Sequence, residues 1–419
     1  MRDWQKVVLA LAAVLVLGIA VYSYMGGRDA ADEQPPRDPG GQEGPEQEDK
    51  ILDPAHWEDE HPEIYQSYMR NTPDDDDNVK RGSDQQVDYI ERYPQIETIY
   101  EGFGFAKEYF STVGHLYSLT SVREIARPKP GANCLACKTP DYEGFYEEYG
   151  DDLFAMEFNE MAERAQWNIT CYSCHGNDPG SIHISVPQAE PGFEQVDFDI
   201  PPGTASCAQC HVEYYFEEEN MAVVFPWENG LTVQDMEDYF DERDFADWEH
   251  PRTGTPLIKI QHPEFEMYTG SPHDQLGMSC ADCHMPTVES EDGVEYVSHW
   301  WSSPLHTAEE SCLGCHANHD VESITEWVSE GQAEVEEKQV QTMDMLVELI
   351  EELATRVEND DLDEETLEEV RSLHRQAQIR WDFVFAENST GSHYFDRAHE
   401  YLDEAMEIAE EALQILEEN

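Results

Sequence analysis

Ten cysteines fall into five pairs of the form C-x-x-C, and none is left over. The pairs are Cys134/Cys137, Cys171/Cys174, Cys207/Cys210, Cys280/Cys283 and Cys312/Cys315. Histidine follows the last four directly, as His175, His211, His284 and His316, whereas Lys138 follows the first. Two thiols at this spacing can each bond one vinyl group of a haem, and the next residue is then placed to ligate the iron. A disulfide framework would not space every pair this way. Zinc knuckles work in twos, which five cannot supply, and need no histidine or lysine after the second cysteine. The motifs therefore imply five covalently bound c-type haems. Four haems with histidine suggest an electron wire, and the one with lysine suggests the place where chemistry happens. Five porphyrins would fill much of the interior. The expected fold class is mainly α, with the haems embedded among loops and short helices.

Aspartate and glutamate total 92 against 24 lysines and arginines, a formal net charge of -68. Such acidity is one signature of disorder. Nine tryptophans, 20 tyrosines and 16 phenylalanines argue for a folded chain instead. The charge fits a protein that works in strong salt, where the Debye length shrinks to about 3 Å near 1 M and surface repulsion is screened. It also excludes nucleic acid as a partner.

Arg2 and Lys6 precede an apolar run from Val7 to about Tyr22. A cleaved signal peptide and a membrane anchor both fit. Without a clear small-x-small cleavage site, residues 1–25 read as an uncleaved anchor. Its positive flank stays inside and the remainder lies outside the cytoplasm. Residues 26–55 form an acidic tether rich in Gly, Pro and Gln. The run Asp74–Asp77 reads as a solvated loop. The haem region is expected over 56–325 and a C-terminal helical bundle over 326–419. Three apolar stripes at helical spacing mark that bundle: Val340 to Val357, Leu367 to Val384, and Leu402 to Leu416. They pack against one another, and a long helix there could also pair with a second copy.

Five haems have ten axial positions, of which the motifs fill five. Electron-transfer haems normally have both faces filled, so four of the 13 remaining histidines are expected to be distal ligands. Lysine ligates iron only as the neutral amine and lacks imidazole's second nitrogen for an orienting hydrogen bond. Such a ligand suggests an exchangeable opposite face.

From about residue 90 to its C-terminus the chain resembles pentahaem cytochrome c nitrite reductase, the ammonia-forming family. The order of one lysine site and four histidine sites is itself that family's pattern. Cys207-Ala-Gln-Cys210-His211-Val-Glu213-Tyr214-Tyr215-Phe216 is similar to its third-haem segment. Lys259-Ile-Gln261-His262-Pro263-Glu264 is similar to its active-site segment, and Arg380-Trp381-Asp382-Phe383 with His393 to its C-terminal ligand segment. The resemblance implies a catalytic arginine, tyrosine and histidine above the lysine haem. Tyr214 and His262 match by their neighbours. The arginine aligns with Arg127, with Arg123 as the alternative. The resemblance further implies one calcium ion held by Glu213, Tyr214, Lys259 and Gln261, through carboxylate, carbonyl and amide oxygens. It implies His115, His273, His299 and His393 as distal ligands, with His306 a rival to His299. It also implies nitrite as substrate, a membrane quinol-oxidising cytochrome as electron donor, and a homodimer through the C-terminal helices.

A multihaem electron carrier with no substrate of its own is the competing function, opposed by Lys138 and the matching trio. Hydroxylamine-oxidising multihaem enzymes carry more haems and generally a crosslinking tyrosine, which five motifs do not support. The charge generates a test. Dialysis of the holoprotein from molar salt into dilute buffer is expected to abolish its far-ultraviolet circular dichroism signature, and an intact spectrum there would reject the salt requirement.

Overall fold

The computed structural model describes residues 50–72, 86–111 and 113–419. The expected anchor at 1–25, the tether up to residue 49 and the acid run Asp74–Asp77 lie outside these residues. Among the described residues, no helix is long and apolar enough to cross a membrane.

From residue 50 to residue 320 no described helix exceeds nine residues. One of them, α1 (Pro62–Tyr68), begins on a proline, whose missing N–H costs nothing at the first helical position. Described strands form three two-stranded antiparallel hairpins, the longest pairing Thr287–Glu289 with Glu295–Val297. Each cysteine motif occupies one turn, and turn residues follow closely. No stretch is long enough to build a layered core of its own.

Beyond Asp320 the chain changes character and forms α2 (Val321–Asn359), α3 (Glu364–Ala386) and α4 (Phe395–Glu418). The expected stripes lie on these helices and face inward at Met343, Leu346, Ile350, Leu353, Val370, Ala377, Trp381, Leu402, Ala405, Ala409 and Leu416. Each large aliphatic side chain so buried contributes about 1.5–3 kcal/mol. The long helix starts well before its stripe and five residues before the expected domain boundary. Asp320 fixes that start, accepting from the Ser323 N–H at 2.9 Å while Ser323 returns a bond to the Asp320 N–H at 3.0 Å. Gly331 inside α2 follows from packing, because a Cβ there would stand 2.7 Å from the Phe395 ring of α4.

Helix α3 pins the bundle to the rest of the molecule, and it does so with polar groups. Arg375 donates to the carbonyls of Pro256 and Phe245, each at 3.0 Å, and pairs with Asp241. Arg380 bonds Glu237 at 2.8 Å. Asp382 takes Lys259 Nζ at 2.7 Å, the Tyr100 hydroxyl at 2.5 Å and the Ile260 N–H at 3.0 Å, all in the interior. Removing one partner of such a buried pair typically costs about 3–5 kcal/mol, since it strands the other charge.

His374, also on α3 and fully buried, bonds the Thr255 hydroxyl at 2.9 Å and Gln378 at 3.1 Å. Burial, with nearby His250 adding to it, lowers its pKa to about 3. The unfolded chain takes this proton near pH 6.5. Below that pH the unfolded state binds more protons, so stability falls as the pH drops from about 6.5 toward 3. The slope from this one group reaches about 1.4 kcal/mol per pH unit. His374→Gln is expected to flatten the fall in thermal midpoint between pH 7 and 5, measured in molar salt. An unaltered slope would assign the acid sensitivity elsewhere.

Candidate active site

A single helical turn explains the C-x-x-C-H spacing. Residues three and four apart lie on one side of a helix, so both thiols and the imidazole face the same way. The His175 and His211 N–H groups bond back to the first cysteine carbonyl of their motifs at 2.9 Å, and His316 does so at 3.0 Å. The motifs also adjoin one another. The Cys137 and Cys210 thiols meet, as do those of Cys207 and Cys280. Cys207 and Cys210 lie in the field of Cys174, and Cys283 in that of Cys312. The third motif is therefore a hub next to the first, second and fourth, and the fifth follows the fourth.

The cysteines differ in exposure at one position. Nine of the ten cysteines are partly buried, but Cys315 is exposed. The cause is local. The fifth motif sits on a turn between a four-residue helix, Ala308–Ser311, and the start of α2, so no neighbouring element covers its second half. Gly314, next to Cys315, confirms the open side, since a Cβ there would meet nothing within 4 Å. Cys312, the other thiol of the motif, lies on the covered side toward Cys283. A thioether needs reach rather than burial, and the His316 N–H bond to the Cys312 carbonyl keeps the turn that aims both thiols. Cys315 is thus exposed, and its spacing suits haem attachment at the molecular surface.

Each motif histidine is opposed by a second imidazole. Ring centroids stand 6.1 Å apart for His175 and His299, 6.1 Å for His211 and His115, 6.3 Å for His284 and His393, and 6.1 Å for His316 and His273. Metal–imidazole bonds of about 2 Å on each side of an iron call for centroids about 6 Å apart. The outer nitrogens are occupied. Nδ1 bonds the Ser181 carbonyl in His175, that of Ser302 in His284, that of Val297 in His299, and the Glu387 carboxylate in His393. In these four histidines this leaves Nε2 as the nitrogen for a metal, as bis-imidazole ligation requires. The residues therefore fit haem.

Two of these pairings have rivals. His262 also lies 6.1 Å from His211, but on the Nδ1 side, where both rings approach Glu264 at 3.8 and 4.0 Å. His319 lies 6.3 Å from His316, only three residues further along the same segment. Of the two histidines named for the loop after the fourth motif, His299 faces His175, while the His306 ring lies tilted against Trp300 at 4.6 Å.

The lysine motif has different company. Tyr214 lies 5.6 Å from His262, ring to ring, and its phenol feels the Cys134 and Cys137 thiols and the Arg127 guanidinium. Burial drives the phenol well above its usual range, so it keeps its proton at neutral pH. Burial likewise lowers His262 to about 4, opposed by Glu264 and helped by Lys138. Arg127 lies 3.8 Å above the Phe105 ring, and its buried Nη1 has no hydrogen-bond partner in the described structure. Arg123 instead uses Nη2 on the carbonyls of Ala162 and Ala165. Of the two arginines, Arg127 is the one in the electrostatic range of Tyr214.

Beneath this trio sits an oxygen cluster. The fully buried Glu213 carboxylate accepts from the Gln261 N–H at 2.5 Å through Oε2, while Oε1 is buried with no partner. Burial pushes its pKa well up. The Gln261 side-chain amide lies 3.0 Å from the Lys259 carbonyl. One carboxylate with carbonyl and amide oxygens suits a hard cation such as calcium. Among the described residues no three His, Cys, Asp or Glu side chains form a metal cluster.

This geometry coincides with what the sequence matches. The family model for cytochrome c552 covers residues 53–418. The chain belongs to the cytochrome c552 family. Cytochrome c-552 of Parabacteroides distasonis is 33% identical over 354 residues, spanning 80% of this chain and 71% of that one. Cytochrome c-552 of Bacteroides fragilis is 30% identical over 413 residues, spanning 94% and 82%. Among solved structures, the NrfA catalytic subunit of cytochrome c nitrite reductase from Desulfovibrio desulfuricans superposes with a TM-score of 0.79 at 29% identity. The match covers 87% of this chain and 86% of that one, and that protein is described with two calcium sites. This chain is thus a multihaem c-type cytochrome of the nitrite reductase type.

Sequence reasoning missed three side chains of this cytochrome's site. Glu264 lies inside a quoted motif, and its place between two imidazoles is visible only in the fold. Lys259 enters the sequence argument as a carbonyl, yet its ammonium anchors the segment before His262 to Asp382. Glu387 carries no motif signal. It is fully buried in its side chain, and it accepts from His393 Nδ1 at 3.0 Å and from the Ser389 hydroxyl at 2.8 Å. A carboxylate on the outer nitrogen makes an imidazole a stronger donor to metal. Glu387→Gln is expected to raise the midpoint potential of the haem ligated by His393 and leave the others in place. Redox titration with an unchanged set of potentials would contradict this.

Proposed function

We propose that this cytochrome reduces nitrite to ammonium at the haem held by Cys134, Cys137 and Lys138. Four bis-histidine haems, ligated by the pairs His175/His299, His211/His115, His284/His393 and His316/His273, relay the electrons. The observation that carries this is the meeting of Arg127, Tyr214 and His262 at the one motif that ends in lysine. The exposed Cys315 puts the fifth motif at the surface, a natural entry point for electrons from a donor protein.

When bound, the lysine-ligated haem supplies an iron that takes the substrate nitrogen and passes electrons to it. The chain supplies the rest. Arg127 offers a fixed cation with an unused donor to a small oxyanion. Tyr214, protonated, donates through its phenol. His262, neutral near pH 7, presents one N–H to substrate oxygen while Glu264 lies toward its Nδ1. Conversion of nitrite to ammonium and two waters takes six electrons and eight protons. Buried donors that regain their protons suit such repetition better than a permanently charged group. These dipoles are held in place before substrate arrives, which is the most effective way to stabilise changing charge.

Glu213, the Tyr214 carbonyl, the Lys259 carbonyl and the Gln261 side chain would hold one calcium ion. Such an ion would offset the buried Glu213 charge and join the Tyr214 and His262 segments. The same reading places the protein outside the cytoplasm beside a membrane quinol-oxidising donor, with a second copy against the C-terminal helices. The test is turnover by chemically reduced holoprotein, which should give one ammonium per nitrite consumed. Lys138→His should keep its covalent haems but lose most of that activity. Full activity in this variant, or no ammonium from the native protein, would refute the assignment.

A further inference from the structure

The segment ahead of the haem motifs is tied to the ligand loops by its last residues. Asn71, just past α1, is only 2% exposed. Its side-chain amide donates to the Tyr68 carbonyl at 2.7 Å and to the His299 carbonyl at 2.7 Å, and its oxygen accepts from the Trp301 N–H at 2.8 Å. Ser67, one turn earlier on α1, accepts from the His299 N–H at 2.9 Å. Both backbone polar groups of His299 are thus held by this one helix and its end. The helix reaches the other side of the same haem site too, since the Tyr68 hydroxyl donates at 2.9 Å to the Ile169 carbonyl, two residues before Cys171.

Asn71 touches a second ligand segment through its backbone. Gly114, which precedes His115, has φ +59°, and a Cβ there would stand 2.3 Å from the Asn71 carbonyl oxygen. Only glycine fits such an approach in the left-handed region. Trp301, whose N–H Asn71 holds, lies between the two histidines, 4.8 Å from His115 and 5.7 Å from His299, ring to ring. The ring of Tyr68 packs on the other side of Trp301 at 6.0 Å.

We propose that Asn71 is a positioning residue for two iron sites at once. It fixes His299 opposite His175 through hydrogen bonds, and His115 opposite His211 through its carbonyl and through Trp301. This rests on the bis-histidine reading above. The chemistry requires an amide. Two donors and one acceptor are used in three directions; aspartate lacks the donors, and glutamine is one methylene too long. An imidazole whose backbone is not held can swing from its iron, and an iron so released accepts an external ligand such as carbon monoxide.

Carbon monoxide binding to the reduced holoprotein tests this, alongside the high-spin signature of the oxidised form. Native protein is expected to bind carbon monoxide only at the lysine-ligated haem. Asn71→Asp should add binding at the haems of the second and third motifs. Ser67→Ala should add it at the second alone, and Gly114→Ala at the third alone, with His299→Gly and His115→Gly giving the reference spectra. Covalent haem content should stay unchanged throughout. Native stoichiometry and an unaltered low-spin signature in Asn71→Asp would overturn the proposal. Should that variant yield no holoprotein, the two milder variants decide by the same readout, and native behaviour in both overturns it. A native protein lacking four low-spin bis-histidine haems would instead refute the ligand reading on which the proposal rests.

Discussion

The structure depends on imidazoles held at a fixed separation. A haem iron accepts two nitrogens only if both rings arrive from opposite sides and point the correct nitrogen inward. In this chain a motif on a single helical turn aims one ring, and a distant segment supplies the other. The outer nitrogen of His175, His284, His299 and His393 is occupied by a backbone carbonyl or by Glu387. Loops of this kind have little regular secondary structure to steady them. Hydrogen bonds to ligand-bearing segments, such as those of Asn71 and Ser67 on His299, take over that task.

The second constraint is charge. Cations are scarce, and several are placed inside. Lys259, Arg375 and Arg380 are all buried, and each ties α3 to a neighbouring segment. Arg397 likewise caps the end of one short helix by donating to the carbonyls of Glu266, Met267 and Thr269. The acids are left mostly to the surface, where salt must screen them. Among the described residues the interior still holds more acids than cations, seven against three, and burial raises the pKa of Asp141, Glu213, Glu237, Glu266 and Asp382. At the active site the same economy leaves Arg127 with a donor unused, and leaves Glu213 with an oxygen that a cation would satisfy.

Much of this was legible in the chain. C-x-x-C-H is a local signal, since one turn of backbone decides it. How deeply a motif is buried is not local, and the exposure of Cys315 became visible only once the neighbouring elements were seen to leave that turn uncovered. Helical stripes such as Met343, Leu346, Ile350 and Leu353 are local too, and they landed on the expected faces. The helix start at Val321 was not marked by the stripe, because polar capping sets it and the first turns pack sparsely. The histidines proposed as distal ligands, such as His115 and His299, carry no local mark at all. They were found by resemblance, and only the fold shows which motif each one faces. Asn71, Glu264 and Glu387 stayed hidden for the same physical reason. A lone polar residue becomes a positioning group only when segments far apart in sequence close around it.

Iron spectroscopy of the intact holoprotein, with and without nitrite, addresses the central claim most directly. The account expects four low-spin haems that ignore the substrate and one haem, at Lys138, whose spin state changes when nitrite is added. Five low-spin haems with no response to nitrite would contradict it.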